Sequence, residues 1–392
     1  MSERLTLTAL DEYFCHQTVQ TFEEVQSTDR NWTEKSYIVA FDDSATVMIA
    51  FGLGKYTNRN VMDGFAAVAL PGRIINVRAS RVLRPDLDTL KVGPLEWQIV
   101  EPPSRNRVIC KDNEQGVQFD VEFLSEYLPI VGNPGKRRIN GITDNHTIRY
   151  FQPGVARGEV TVDGRTYTFT PERSWGYKDR SWGIRTMTGV PRPGSFIFNG
   201  ADEEAETGLE PVSAHTSGVL HGYLNLGFET FSISCLYTQG PDGKSIPSPT
   251  GAGEGFVIFP TKSGKPPIRV VRSELAFEFW PGSRRGKQMR GTFHLEDGTT
   301  KVVETRWHGL VWYFRAGGYF GFRGWWQGKH MGPLAVGGES LDLTDTAVRD
   351  EVYGCEEVAV TCSCDGEQGY GVLEPWAIGA LPGYGITAND LG

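Results

Sequence analysis

The chain has 392 residues and a net charge of −9, with 39% hydrophobic and 22% charged residues, a composition typical of a globular protein. Its basic residues are scattered, which excludes a nucleic-acid footprint, and no apolar run approaches the roughly 20 residues that span a bilayer. The first residues, MSERLTLTALDEYFCHQ, lack the pattern of a signal peptide, so we expect a cytoplasmic protein.

The predicted elements are mostly short β-strands, because the chain is rich in turn-forming and aromatic residues, with 48 Gly, 22 Pro, 10 Trp, 14 Tyr and 21 Phe. Helical periodicity is confined to short pieces such as residues 8–16. Residues 158–170 alternate around Asp163-Gly164, which predicts a hairpin with a type I′ turn, and residues 289–314 alternate around Asp297-Gly298. Further strands are predicted at 231–237, 255–259 and 270–279.

The domain organisation follows from a break in the middle of the chain. Residues 186–212 combine Pro, Gly and an acidic cluster, as a linker does. We therefore predict an N-terminal β domain at 1–188, a linker at 189–212 and a C-terminal β domain at 213–392. Each half has the length of a barrel or a sandwich, and a tandem of two barrels fits although the halves share no strong repeat.

The run at residues 173–185, RSWGYKDRSWGIR, holds more chemically capable side chains than any other short stretch. Its glycines and aromatic residues favour a strand, on which side chains alternate between faces. The two RSWG copies are seven residues apart, so they fall on opposite faces and are not equivalent. The predicted faces are Trp175, Tyr177, Asp179 and Arg185 on one side and Lys178, Arg180 and Trp182 on the other.

Two interpretations of this strand remain open. In the first, Asp179 works with Tyr177 or Lys178 as an acid/base group at a barrel mouth walled by tryptophan. In the second, Asp179 is structural and pairs with Arg180 or Arg185, since ion-pair networks produce the same pattern.

The segment from Asp179 to Arg185, DRSWGIR, resembles the Asp-His-Ser-Trp-Gly-x-Arg signature of the carotenoid 1,2-hydratase (hydroxyneurosporene synthase) and AttH-like superfamily. Fungal lipocalin-like Diels–Alderases belong to the same structural group. Further segments resemble uncharacterised bacterial members, and together they cover most of residues 10–185. These segments are Trp32-Thr-Glu-Lys35, Gly52 to Asn58, Met62-Asp-Gly64, Val92 to Leu95 and Gly116 to Asp120.

The resemblance implies an all-β fold of two tandem lipocalin-like antiparallel barrels, with a largely apolar pocket in or between them. It also implies chemistry without organic cofactors, such as water addition to C=C bonds or pericyclic cyclisation. The signature's Asp, Trp and Arg fall on Asp179, Trp182 and Arg185. This chain has Arg180 where many members have His, and a guanidinium does not deprotonate in proteins. A proton-transfer role would then pass to Asp179, Tyr177 or a histidine from elsewhere.

Histidines and aromatic residues supply the other candidates. His215 and His221, six residues apart, would share one face of a regular strand and could act as acid or base, or lie in turns. No third ligand accompanies them, so no metal site is predicted. Trp312, Trp325 and Trp326 could wall a pocket or fill a core. Three residues of a Gly-rich segment could line the first barrel's rim or serve turn chemistry, namely Tyr56, Asn58 and Asp63.

The leading hypothesis is a cofactor-independent lyase or isomerase of hydratase or dehydratase type, acting on a small apolar terpenoid or aromatic metabolite. Asp179 would transfer the proton, assisted by Tyr177 and by His215 or His221, while Arg185 orients it. Trp182, Lys178, Tyr56, Asn58, Asp63 and Trp312, Trp325 or Trp326 would contact the substrate. The alternatives are a non-catalytic lipocalin-like carrier and a shape-driven pericyclic cyclase. No cofactor, metal or nucleic-acid partner is expected, and a homodimer is left open.

Overall fold

Antiparallel strands arranged in two barrel-like sheets form nearly all of the protein, which confirms the all-β prediction of two tandem lipocalin-like barrels. The computed structural model describes residues 6–16, 21–132, 134–139, 141–185, 218–247 and 255–392. The predicted linker at 189–212 and His215 lie outside these residues. No described helix is long and apolar enough to cross a membrane.

The first sheet follows the order β20-β4-β3-β2-β1-β13-β11-β8-β7-β6-β5, and β9, β10 and β12 also pair with β11. One of its two edge strands, β20 (Leu334–Asp342), comes from the C-terminal half of the chain and pairs antiparallel with β4. The strands of the N-terminal half are β1 Trp32–Asp42, β2 Met48–Tyr56, β3 Val61–Leu70, β4 Arg73–Val82, β5 Lys91–Val92, β6 Leu95–Glu101, β7 Arg105–Cys110, β8 Val117–Leu124, β9 Ile130–Val131, β10 Gly135–Ile139, β11 Ile142–Val162, β12 Arg165–Phe169 and β13 Ser174–Arg185.

The second sheet closes on itself. Its strands run in the order β15-β16-β17-β18-β19-β21-β22-β14, and β15 pairs with β14 to complete a ring of eight, with β23 added beside β14. The elements of the C-terminal half are β14 Val219–Phe228, β15 Ser232–Gln239, β16 Gly255–Ile258, β17 Ile268–Phe279, β18 Gly286–Leu295, β19 Thr300–Tyr313, β20 Leu334–Asp342, α1 Thr346–Val352, β21 Glu356–Cys364, β22 Glu367–Leu373 and β23 Trp376–Ile378.

Local sequence signals produce the turns where they were predicted. Asp163 and Gly164 both have positive φ, 50° and 73°, as a type I′ turn between β11 and β12 requires. The second predicted hairpin joins β18 to β19, with Gly298 at φ 85°. The short helical signal near the N-terminus corresponds to a 3₁₀ helix at Ala9–Glu12, which Thr8 caps.

Three apolar clusters define the packing: one inside each barrel and one between them. On β1, Ile38 and Ala40 point into the first barrel, whereas Val39 and Phe41 join the cluster between the barrels. Strands β1, β2 and β3 are therefore buried on both faces, and β2, β3 and the second half of β1 are mostly apolar, instead of alternating with polar residues. The second barrel lies directly on this outer face.

The inner face of β13 holds the N-terminal segment by ion pairs. Lys178 Nζ lies 2.9 Å from both carboxylate oxygens of Glu12. Arg180 donates to Glu34 at 2.9 Å and to the Tyr13 carbonyl at 2.9 Å. Both cations are fully buried, and a buried charge is tolerated only when it is paired in this way. Arg180 therefore anchors residues 8–16.

The buried Trp312 and the exposed Trp280 allow a test of the packing between the barrels. Trp312 is 0% exposed and stacks on Phe65 of β3 with ring centroids 5.4 Å apart. Trp312→Ala should lower the free energy of unfolding by about 3–5 kcal/mol, because it leaves a large cavity between the barrels. Urea denaturation measures this change. The control, Trp280→Ala, removes an indole that is 50% exposed and should cost about 1 kcal/mol or less. Equal losses for the two variants would contradict this account of the packing.

Candidate active site between the two barrels

A cavity of about 280 Å³ lies between the outer faces of the two barrels. Strands β1 to β4, β11 and β13 line it from the first barrel, and β14, β15, β16 and β23 line it from the second. The connection from β19 to β20 supplies a further wall through residues 314–327. The pocket expected in or between the barrels is thus formed by both of them.

The outer face of β13 brings the sequence-predicted strand residues to this space. The β1–β13 pairing is regular, with Tyr37 opposite Asp179 and Ile38 opposite Lys178, so alternation runs unbroken along the strand. Asp179 and Arg185 line the cavity, and Tyr177 lies buried beside it. Lys178 points the other way, into the first barrel. The two-face prediction for this strand is confirmed.

Asp179 faces Arg149 of β11. Their side chains lie 3.3 Å apart, between Arg149 Nε and Asp179 Oδ1, and both line the cavity. The Arg149 guanidinium also lies 5.2 Å from the ring centroid of Tyr223 and 5.5 Å from that of Phe151. Cation–π contacts on both sides hold the guanidinium in place. The site therefore presents a carboxylate whose partner is fixed by two aromatic rings.

Two glutamates from the second barrel meet beside Tyr177. Its hydroxyl is hydrogen-bonded to Glu357 of β21 and, at 3.0 Å, to Glu374, which follows β22. Glu357 also accepts from the Tyr37 hydroxyl. Tyr177 has one hydroxyl hydrogen and can donate to only one of the two carboxyl groups. The other contact requires a proton on the carboxyl, so at least one of the two glutamates is protonated.

Burial explains which of these groups hold protons. It raises the pKa of Glu374 to about 7, a shift that Arg149 opposes and Asp179 reinforces. Burial, followed by the charge of Glu374, raises the pKa of Glu357 well above its usual range. Glu374 lines the cavity, whereas Glu357 does not and lies on the other side of the Tyr177 contact. The cavity thus contains a carboxyl group with a pKa near neutral pH, and a second carboxyl group whose pKa is also raised lies beside it.

Aromatic rings form most of the remaining wall. Phe320 stacks on Trp376 with centroids 5.1 Å apart, and Tyr223 packs against Phe151 at 4.6 Å. Trp325 and Trp326 also line the cavity, in agreement with the wall expected for them. An enclosure of this kind excludes water around a flat or unsaturated apolar molecule.

Another part of the lining carries positive charge. Lys35 donates to Gln327 at 2.7 Å, and Arg185 donates to the Tyr319 hydroxyl at 2.6 Å. Asp63 accepts from the Gly328 amide, and burial raises its pKa to about 6. Tyr56, adjacent on β2, lines the same region.

Some predicted residues lie elsewhere. Trp182 is on the inner face of β13, stacked on His16 at 3.8 Å, and Trp312 lies behind Phe65. Asn58 donates to the carbonyls of Ser27 and Asp29, both at 2.7 Å, and so serves loop structure. These three, like Lys178, do not line the cavity.

His221 does line the cavity, but in a form that does not suit proton transfer at neutral pH. Burial, followed by the charge of Arg149, lowers its pKa to about 4. Its Nδ1 lies 2.8 Å from the Thr238 hydroxyl. The ring is therefore neutral at pH 7 and is suited to hydrogen bonding.

Sequence reasoning missed Glu374, Glu357, Arg149 and Lys35. Glu374 and Arg149 are charged residues in otherwise apolar or aromatic contexts, VLEPW and TIRYF. That context was the available signal, because a charge among apolar neighbours is buried only with a partner. The partners themselves come from distant strands. Among the described residues, no group of three or more His, Cys, Asp or Glu side chains is placed to hold a metal ion.

The chain belongs to a family of unknown function (DUF8625), whose model matches residues 7–387. Comparison with curated proteins finds no match. The resemblance to carotenoid 1,2-hydratases and AttH-like proteins therefore stays a prediction.

Solved structures similar to this chain include two lipocalin-like proteins. Kievitone hydratase from Nectria haematococca is 13% identical, with 88% of each chain covered and a TM-score of 0.42. CghA is 10% identical over 90% of this chain and 89% of that chain, with a TM-score of 0.46, and 0.45 in its complex with Sch210972.

The raised pKa of Glu374 has a measurable effect on stability. The folded state holds this proton up to about pH 7, whereas the unfolded state loses it near 4.5, so stability falls as pH rises between these values. Glu374→Gln cannot ionise and escapes this penalty. Between pH 5 and pH 8, the free energy of unfolding of the variant should gain about 2 to 3 kcal/mol relative to wild type.

Urea denaturation at the two pH values checks this expectation. The control is Glu304→Gln, which changes an exposed glutamate on β19 and should follow the wild-type pH dependence. Parallel curves for wild type and Glu374→Gln would show that Glu374 is ionised in the folded protein throughout this range.

Proposed function

We propose that the protein is a cofactor-independent lyase or isomerase that transfers protons to and from an apolar, unsaturated small molecule. The observation that carries this proposal is the pairing of two different carboxyl groups in one apolar cavity. Glu374, with a pKa near 7, can donate a proton, and Asp179, beside Arg149, can accept one. A carboxyl group with a pKa near neutral, placed in the same cavity as one that is paired with an arginine, is typical of acid/base catalysis.

The roles follow from position. In a dehydration, Asp179 takes a proton from carbon while Glu374 protonates the departing hydroxyl, which leaves as water and creates the double bond. Hydration is the same sequence reversed, and an isomerisation returns the proton to a different carbon. After product release, the proton on Asp179 returns to Glu374 through water that enters the cavity, and this resets both carboxyl groups. Tyr177, hydrogen-bonded to Glu374 and Glu357, holds Glu374 in position.

The other lining residues support the same chemistry. Arg149 lies between Asp179 and the rings of Tyr223 and Phe151, where it can stabilise negative charge that develops on the substrate. The aromatic walls exclude water, which strengthens each of these electrostatic interactions. His221, whose Nδ1 is held by the Thr238 hydroxyl, offers a hydrogen bond that orients a polar group of the substrate.

Hydrogen exchange tests the proposal before the substrate is identified. A small-molecule cell extract is incubated with the protein in heavy water and analysed by high-resolution mass spectrometry. Wild type should introduce deuterium into at least one apolar compound, and Glu374→Gln should lower that rate by about 10²-fold or more, since general acid catalysis typically contributes 10²–10⁴-fold.

Glu356→Gln is the matched control. Glu356 is also buried with a raised pKa, about 8, but does not line the cavity, so its variant should keep the wild-type rate. A compound that binds and is recovered unchanged, without deuterium, would point instead to a carrier. A compound that is cyclised without deuterium would point to a shape-driven cyclase.

Asp179→Asn tests the second carboxyl. The amide cannot accept the proton, so exchange should fall by about 10²-fold or more while the far-UV circular dichroism stays unchanged. Asp120→Asn provides the comparison, because Asp120 also pairs with an arginine, Arg107, but on the surface of the first barrel. Full exchange activity in Asp179→Asn would remove Asp179 from the mechanism.

A further inference from the structure

Two cations that line the cavity, Lys35 and Arg185, have no carboxylate partner within 4 Å among the described residues. Among the described lining residues, two of the cations have carboxylate partners: Arg78 lies 2.7 Å from Glu339, and Arg149 lies 3.3 Å from Asp179. Lys35 and Arg185 form no ion pair within 4 Å among the described residues, and their hydrogen-bond partners are a neutral amide and a phenol. Two cations in an apolar enclosure are costly unless an anion joins them.

These two cations flank one ring. Lys35 Nζ lies 5.7 Å from the ring centroid of Tyr319, and the guanidinium carbon of Arg185 also lies 5.7 Å from it. Because the Tyr319 oxygen accepts from Arg185, its own hydrogen is available for a third group. The three side chains therefore offer donors from a lysine, an arginine and a tyrosine around one place in the lining.

The nearby acids form no ion pair with Lys35 or Arg185 within 4 Å among the described residues. Asp63 accepts a hydrogen bond from the Gly328 amide, and burial raises its pKa to about 6. Glu374 is hydrogen-bonded to Tyr177, and its pKa is about 7. Burial, followed by the charge of Arg185, lowers the pKa of Lys35 well below its usual range. An anion bound beside Lys35 and Arg185 would favour the charged form of the lysine.

We propose that Lys35, Arg185 and Tyr319 form a carboxylate-binding subsite, so that the ligand is an unsaturated apolar molecule with a carboxylate at one end. An arginine and a lysine bind carboxylates by charge-assisted hydrogen bonds, which are the stronger class. The aromatic part of the lining then takes the apolar body. That this ligand is the substrate rests on the proposed function, whereas the subsite itself does not.

Three probes of equal shape and different charge test the subsite on the unmodified protein. They are trans-stilbene-4-carboxylate, its neutral carboxamide and the cationic carboxamidine, and binding is followed by the change in protein tryptophan fluorescence at pH 7.5. The carboxylate should bind about tenfold more tightly than the carboxamide, or better, and the carboxamidine most weakly. Equal binding of carboxylate and carboxamide, or tighter binding of the carboxamidine, would overturn the proposal.

Variants then assign the preference to its residues. Lys35→Met and Arg185→Met should each reduce the preference for the carboxylate over the carboxamide by about tenfold, with little change in carboxamide affinity. Lys329→Met is the matched control, because Lys329 belongs to the same β19–β20 connection as Tyr319 but does not line the cavity. A preference that survives in both Lys35→Met and Arg185→Met would place the anion elsewhere.

The outcome is separable from that of the proposed function. Glu374→Gln should keep the carboxylate preference while losing deuterium exchange. Lys35→Met should lose the carboxylate preference, whether or not any compound exchanges deuterium in wild type. A protein that binds the carboxylate selectively but exchanges no compound would have the subsite without the proton transfer.

Discussion

The second barrel covers the outer face of β1, β2, β3 and β13, and this burial constrains every polar group in the layer between the barrels. Apolar residues such as Val39 and Phe41 fill most of the layer. A polar side chain that enters it must find a partner, because desolvation without a hydrogen bond costs several kcal/mol. The Tyr37–Glu357–Tyr177–Glu374 network is one such solution, and the Arg149–Asp179 pair is another.

The same burial gives these groups their chemical character. Removal of water raises the pKa of Glu374 and Glu357 and lowers that of His221. In each case burial favours the neutral form of the group. The cavity therefore combines an apolar wall with a carboxyl group whose pKa is near neutral. The exclusion of water accounts for both. Lys35 and Arg185, which lie near Tyr319 without an ion pair among the described residues, are the exception that calls for an anion.

The barrel interiors contribute differently. The first is filled by an apolar cluster and by the N-terminal segment, whose Glu12 carboxylate pairs with Lys178. Arg180 fixes the same segment and so has a structural role on the face of β13 opposite the cavity. The cavity between the barrels, in contrast, is lined by side chains from both halves of the chain.

Several strands, the type I′ turn at Asp163-Gly164 and the division of residues 174–185 between two faces could be predicted from the sequence. These features depend on local periodicity and backbone preference. The sequence could not say which face meets a ligand. Tyr177 and Glu374 are 197 positions apart, and only the docking of the second barrel joins them. The partner of a buried charge, and hence its pKa and its chemistry, is a property of the packed chain, so the tertiary structure alone decided it.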